Sequence, residues 1–211
     1  MENMNRMDLQ SSIINYQSSI KKVVVIAASA GGIDALTQVL SGLSGDLPAA
    51  ILVVQHLRND RPTLLPGLLA RSCPLKVCLA QDGKGLEAGV VYVAVPGKHL
   101  RIESEHIALS LDEPVNYVRP SADLLFTSAA QTFGRNTIGV VLSGTGKDGA
   151  RGCQAIKGKG GVTIAQDETT SRYFDMPKAA ISAGAIDYML PVEEIGAKIV
   201  EILNQKREVK R

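Results

Sequence analysis

The sequence predicts an α/β fold, doubly wound, with a mostly parallel sheet, helices on both faces and an antiparallel β-hairpin insertion. Three observations predict it. Apolar, β-branched runs such as VVVIAA, ILVV and TIGVV alternate with helix-like segments along most of the chain. These runs are continuously apolar rather than alternating, which marks strands covered on both faces and hence a parallel sheet. With no Trp and 4% aromatic residues among 211, the core must be built from Val, Ile, Leu and Ala. A chain of this length buries roughly 70% of its unfolded surface and needs no staples.

The elements follow in order. Residues 1–20 are polar and carry no clear period. They read as a leader, either disordered or a short docking helix with Ile13, Tyr16 and Ile20 at helical spacing, and the ordered domain is expected over 21–211. KVVVIAAS is a strand and GGIDALTQVLSGL a helix; AAILVVQH is a strand, PTLLPGLLARS a helix and LKVCLA a short strand. Short β-rich runs broken by PGKH and ESEH predict the antiparallel hairpin near 90–111. PSADLLFTSAAQTF is helical, with Pro120, Ser121 and Asp123 in its opening turn. Then come the strand NTIGVVLSG, the helix KDGARGCQAIKGKG, the strand VTIAQ, the short helix MPKAAISAG, the strand AIDYML and the final helix VEEIGAKIVEILNQK.

Composition excludes several function classes. A net charge of +2 with no basic stripe argues against nucleic-acid binding. The basic end KREVKR reads as a solvated tail. Cys73, Cys78 and Cys153 lack metal-ligand spacing, and scattered thiols in odd number fit a reducing compartment. No signal-peptide core and no bilayer-length apolar run is present, so a cytoplasmic protein without membrane insertion is expected. No cofactor is expected.

In open parallel sheets the site lies beyond the carboxyl ends of the strands. Three such ends carry reactive groups: the first strand runs into Ser29, the second ends in Gln55-His56, and the strand 137–142 leads to SGTGKDG with Asp148. A serine, a histidine and an aspartate on one sheet edge supply a nucleophile, a base and an orienting carboxylate. The helix starting near Gly31 aims its free N–H groups at the turn, where they can stabilise an oxyanion. Each residue also has a plain structural reading. Ser29 can be an N-cap, His56 a satisfied strand-end histidine, and Asp148 a cap for the helix from 149. His99 and His106 fall in the hairpin region and read as structural or surface residues.

SGTGKDGARG superficially suggests a phosphate loop. A Walker A loop needs Gly five residues before its GK pair and Ser or Thr after it, whereas Val141 and Asp148 stand there. An aspartate at that point repels phosphate. ASAGGI likewise lacks the G-x-G-x-x-G spacing of dinucleotide folds.

From about Lys21 to the last helix the chain resembles the catalytic domain of the CheB-type chemotaxis protein-glutamate methylesterases. The family's IGASTGG turn is similar to IAASAGG here, its QH pair to Gln55-His56, and its RPS-x-D-x-LF helix start to RPSADLLF at 119–126. Its TGMG-x-DGA motif is similar to SGTGKDGA at 143–150, and its AQ-x-E…MP-x-A segment to AQDETTSRYFDMPKAA. The resemblance implies Ser29 as nucleophile, His56 as general base and Asp148 as orienting acid, with backbone N–H groups at Ala30 and Thr145 near the oxyanion. It implies hydrolysis of glutamyl methyl esters on methyl-accepting chemoreceptor helices, with glutamine deamidation as a second activity. Ala27, Ala30 and Thr145 stand where the family usually has Gly, Thr and Met, which bears on rate and substrate detail. Family members usually carry a phosphorylatable receiver domain before the catalytic one. Residues 1–20 are too short for one, so control by a partner protein in trans is expected. The alternative reading is a catalytically idle module that binds receptors or signalling partners.

Overall fold

The structure is a computed structural model that describes residues 20–58 and 62–205. The leader expected over 1–20, apart from Ile20, and the tail KREVKR lie outside the described residues. The first half runs β1 (Val23–Ala28), α1 (Gly32–Ser41), β2 (Ala50–Gln55), α2 (Leu65–Leu69), β3 (Lys76–Leu79), β4 (Val90–Val93), β5 (His99–Glu103) and β6 (His106–Ser110). The second runs α3 (Ala122–Phe133), β7 (Thr137–Val141), α4 (Ala150–Gly158), β8 (Val162–Gln166), α5 (Asp175–Ser182), β9 (Tyr188–Leu190) and α6 (Val192–Asn204).

Seven strands form one sheet in the order β3-β4-β2-β1-β7-β8-β9, and every pairing in it is parallel. All six residues of β1 are buried, as are all six of β2. This is why both strands read as unbroken apolar runs. Val24, Ile26 and Ala28 pack against α1, α2 and α6, while Val23, Val25 and Ala27 pack against α3, α4, α5 and the hairpin. Each fully buried Val or Ile stabilises the fold by about 1.5–3 kcal/mol. A one-residue slip of β1 would exchange the two sets, so its register is strongly specified.

The hairpin is smaller than the sequence suggests. Val90–Val93 is buried at all four positions and pairs in parallel with β2 and β3, so it belongs to the main sheet. Its run VVYV lacks the alternation of a one-sided strand, which is the signal that distinguishes it from β5 and β6. These two alone form the antiparallel pair, turning at Ser104 and Glu105 with φ of 49° and 65°. α2 is also shorter than PTLLPGLLARS predicts; it starts only at Leu65, with Pro66 in its first turn, where a missing N–H costs nothing.

From β1 the chain winds one way through β2 towards β4 and β3, and β7 returns to the other side of β1. The switch point therefore lies at the carboxyl end of β1, next to the carboxyl ends of β2 and β7.

Candidate active site

The turn after β1 is held on both sides. Ser29 N–H donates to Ser143 O at 3.0 Å, while Ser29 O accepts from Gly32 N–H at 2.9 Å and from Gln55 Nε2 at 2.8 Å. Gly31 has φ 70° and is the residue preceding α1. A Cβ there would lie 2.8 Å from Arg172 Cβ and 2.9 Å from Ser143 Oγ, so both its conformation and its surroundings require glycine. No side chain caps α1, so Ser29 is not its N-cap. Among the described residues Ser29 Oγ makes no hydrogen bond, and the amides of Ala30, Gly31 and Thr145 find no acceptor.

His56 stands level with Ser29 across the β1–β2 ladder. The last ladder pair is Ala28↔Gln55, and His56 N–H donates to Ala28 O at 3.0 Å. Both residues continue the parity of Ala27 and Val54, which face α3 and α4. On that side His56 Nε2 lies 2.9 Å from Asp148 Oδ2, with the two side chains 14% and 4% exposed. Nδ1 is thereby left as the nitrogen that can receive a proton from a hydroxyl.

Asp148 does not cap the helix that follows it. Its carboxylate accepts from Ser121 Oγ (2.9 Å), Ala122 N–H (2.6 Å) and Asp123 N–H (3.0 Å), and so caps the start of α3. Desolvation pushes its pKa up. The His56 hydrogen bond and the two backbone donors more than offset this and hold the carboxyl below its ordinary value of 3.8. The dipole of α3 acts in the same direction. Asp123 performs the reciprocal service for α4, accepting from Gly149 N–H and Gly152 N–H, both at 2.9 Å. Burial is the main cause of its raised pKa, and the Asp148 charge raises it further. Asn116 Nδ2 donates to its other oxygen at 3.2 Å.

Behind this pair sits His99, fully buried. Its Nδ1 accepts from Ser121 N–H at 3.2 Å, so the proton lies on Nε2, which donates to Glu113 O at 3.1 Å. His99 thus anchors the α3 turn that carries Ser121, whereas His106 is exposed and bonds only its own hairpin turn through Ser104 O.

The far wall comes from 166–176. Gln166 Oε1 accepts from Ser143 N–H at 2.8 Å, Tyr173 N–H donates to Ser143 Oγ at 3.0 Å, and Gly144 is bonded through its N–H to Tyr173 O and through its O to Met176 N–H. Gly144 packs so tightly that an added Cβ would lie 2.8 Å from Ser29 Cβ. Ser121, Asp123, Gln55, Ser143 and Gln166 therefore build the site, although the sequence patterns that contain them do not reveal what each one bonds.

His56, Thr145, Lys147 and Asp148 line a cleft of about 340 Å³ whose lip is the turn Asn116-Tyr117. Tyr117 is fully exposed there, with φ 66°. A larger groove of about 530 Å³ lies beside α2, lined mainly by apolar residues such as Leu57, Leu64 and Leu68, with Thr63 and Arg71 among them. The smaller cleft is the one lined by His56 and Asp148.

A doubly wound sheet whose switch-point edge carries serine, a carboxylate-bound histidine and open backbone amides brings together the kinds of group that serine hydrolases use. The chain belongs to the CheB methylesterase family, whose family model matches residues 24–199. It is 48% identical over 181 residues to the protein-glutamate methylesterase/protein-glutamine glutaminase 2 of Anaeromyxobacter dehalogenans, covering 86% of this chain and 53% of the relative. It is 43% identical over 182 residues to the protein-glutamate methylesterase/protein-glutamine glutaminase of Pyrococcus horikoshii, covering 84% of this chain and 50% of that one. The chain thus spans about half the length of these curated relatives. The crystal structure of the Thermotoga maritima CheB methylesterase catalytic domain superposes with a TM-score of 0.83 at 36% identity, covering 86% of this chain and 98% of that one.

Proposed function

We propose that this chain is a protein-glutamate methylesterase that hydrolyses glutamyl 5-methyl esters on methyl-accepting chemoreceptor helices, with glutamine deamidation as a second reaction of the same site. The observation that carries the reading is the 2.9 Å contact of His56 Nε2 with the buried Asp148 carboxylate, on the same sheet edge as Ser29. The printed names of the relatives carry both activities.

In this reading His56 Nδ1 takes the Ser29 proton as Oγ attacks the ester carbonyl. The negative charge formed on the carbonyl oxygen is received by the N–H groups of Ala30 and Thr145, with Gly31 beside them in the turn. His56 returns its proton to the departing methoxide, and methanol leaves. The same imidazole then activates water to cleave the acyl-serine bond, releasing glutamate and restoring Ser29 Oγ–H. With glutamine as substrate His56 must give its proton to the amide nitrogen as the C–N bond breaks, so that ammonia leaves.

An open cleft at a sheet edge, rather than an enclosed pocket, suits a side chain presented on an exposed helix. No described helix is long and apolar enough to cross a membrane. A cytoplasmic setting and a regulatory partner acting in trans complete the proposal. Methanol release from methyl-labelled receptor tests it. Release by the wild-type chain is expected. A folded chain that releases no methanol overturns the enzyme reading in favour of an idle binding module.

A further inference from the structure

Gln55 closes β2, is 5% exposed, and lies on the opposite side of the sheet from the Ser29 and His56 side chains, with the parity of Ala28. Its Nε2 donates to Ser29 O at 2.8 Å and to His56 O at 3.1 Å. A carboxamide carries two N–H bonds, and these two carbonyls take both. One planar group therefore joins the main chains of the residues that bear the proposed nucleophile and the proposed base. It does so beyond Ala28↔Gln55, where the ladder itself has ended.

We propose that Gln55 is a positioning residue: by bridging the carbonyls of Ser29 and His56 it sets the separation of the two reacting side chains. The inference rests on the triad reading above. Two carbonyl oxygens directed at one point repel each other unless a donor stands between them. Ser29 O keeps a second partner in Gly32 N–H and His56 N–H still holds Ala28 O, so without the amide the turn and the last ladder bond survive while the Ser29 and His56 carbonyls lose the group that fixes their separation. Gly32 makes room for the bridge, because a Cβ there would lie 2.7 Å from Gln55 Oε1. That oxygen is buried without a hydrogen-bond partner among the described residues, an expense borne so that both N–H bonds point at the two carbonyls. Gln55 does not line the cleft, so it acts through Ser29 and His56 and not on substrate.

The test compares Gln55→Met, which keeps length and removes both donors, with Gln55→Glu, which keeps shape and presents an acceptor. Both are assayed for methanol release from methyl-labelled receptor, alongside Ser29→Ala and with thermal unfolding recorded for each. The expected result for Gln55→Met is a fall of about 10²-fold in kcat, the scale of a small misplacement of reacting groups, with KM unchanged. Relative to wild type, Gln55→Glu should regain activity as the pH is lowered, because its protonated carboxyl recovers one donor. Gln55→Met should show no such recovery. A folded Gln55→Met with wild-type kcat, or with its loss confined to KM, overturns the proposal. Should Gln55→Met fail to fold, a Gln55→Glu variant whose activity relative to wild type is flat with pH overturns it equally. An active Ser29→Ala would instead overturn the triad reading, whereas an inactive Ser29→Ala beside a fully active Gln55→Met overturns the bridge alone.

Discussion

Asp148 and Asp123 exchange helix caps: the carboxylate that precedes α4 binds the first turn of α3, and the carboxylate in the first turn of α3 binds the first turn of α4. The crossing explains how a buried charge can be held against a histidine. Each carboxylate is fed by backbone donors of the other's helix, so α3 and α4 cannot separate without leaving both groups unsatisfied.

Ser29→Ala should leave folding intact, because the lost hydroxyl bonds nothing among the described residues. In a comparable triad the loss of the serine costs about 10⁶ in turnover. Methanol release measured beside a thermal melt checks this. A variant with most of its activity removes Ser29 from the mechanism.

Asp148→Asn should lose roughly 10⁴ in turnover, as when an orienting aspartate is neutralised elsewhere. The variant also has a pH signature. The folded pKa of Asp148 lies below 3.8, so its contribution to stability is full above that value and is lost as pH falls through the folded pKa. Wild type should therefore lose stability in this acid window more steeply than Asp148→Asn. Parallel slopes in denaturant titrations at several acid pH values would refute the assignment.

Asp123→Ala should destabilise by about 1–3 kcal/mol, since it strips two buried amides, Gly149 N–H and Gly152 N–H, of their acceptor. Its pH dependence has the opposite sign to that of Asp148. A raised folded pKa means that the stability linked to protonation is full below 3.8 and is lost as pH rises through the folded value. The deficit of Asp123→Ala should accordingly be larger in acid than at neutrality, as urea midpoints will show.

Gly144→Ala should cost about 1–3 kcal/mol by overpacking and also depress kcat, because the new methyl would sit 2.3 Å from Met176 Sδ and 2.8 Å from Ser29 Cβ. Gly161→Ala is the matched control. Its Cβ would lie 2.7 Å from Thr137 O at the opposite end of the sheet, so it should lose stability while kcat holds. Equal kcat values for the two variants would show that Gly144 serves packing alone.

Much of this was legible in the sequence because the sheet is buried on both sides. Continuous runs such as VVVIAA mark parallel strands, and parallel strands put their carboxyl ends on one edge, which is how Ser29, His56 and Asp148 emerge as a group. The relations among side chains at that edge were not legible. Nothing in RPSAD or SGTGKDGA says that Asp148 caps the distant helix rather than the adjacent one, because that choice is made by the packing of α3 on α4 around Gly152, where a Cβ would meet Phe126 Cβ at 2.4 Å. The unbroken run VVYV marks a strand covered on both faces, but not which strands it lies between. Its place between β2 and β3 depends on partners distant in the chain, and local pattern carries no record of them.

The parallel pairing of β1 with β7, Val23↔Thr137 through Ala27↔Val141, has a consequence for how the protein matures. Ser29 and His56 belong to the first β-α-β unit and can come into register early, through contacts close along the chain. Ser143 and Asp148 arrive only when β7 docks, which closes a very long loop and is intrinsically slow. A chain in which β7 has not docked would hold Ser29 and His56 in register without Asp148. Under the proposed triad, hydrolytic competence therefore waits on the β1–β7 pairing, while α6 closes a still longer loop when it packs on α1.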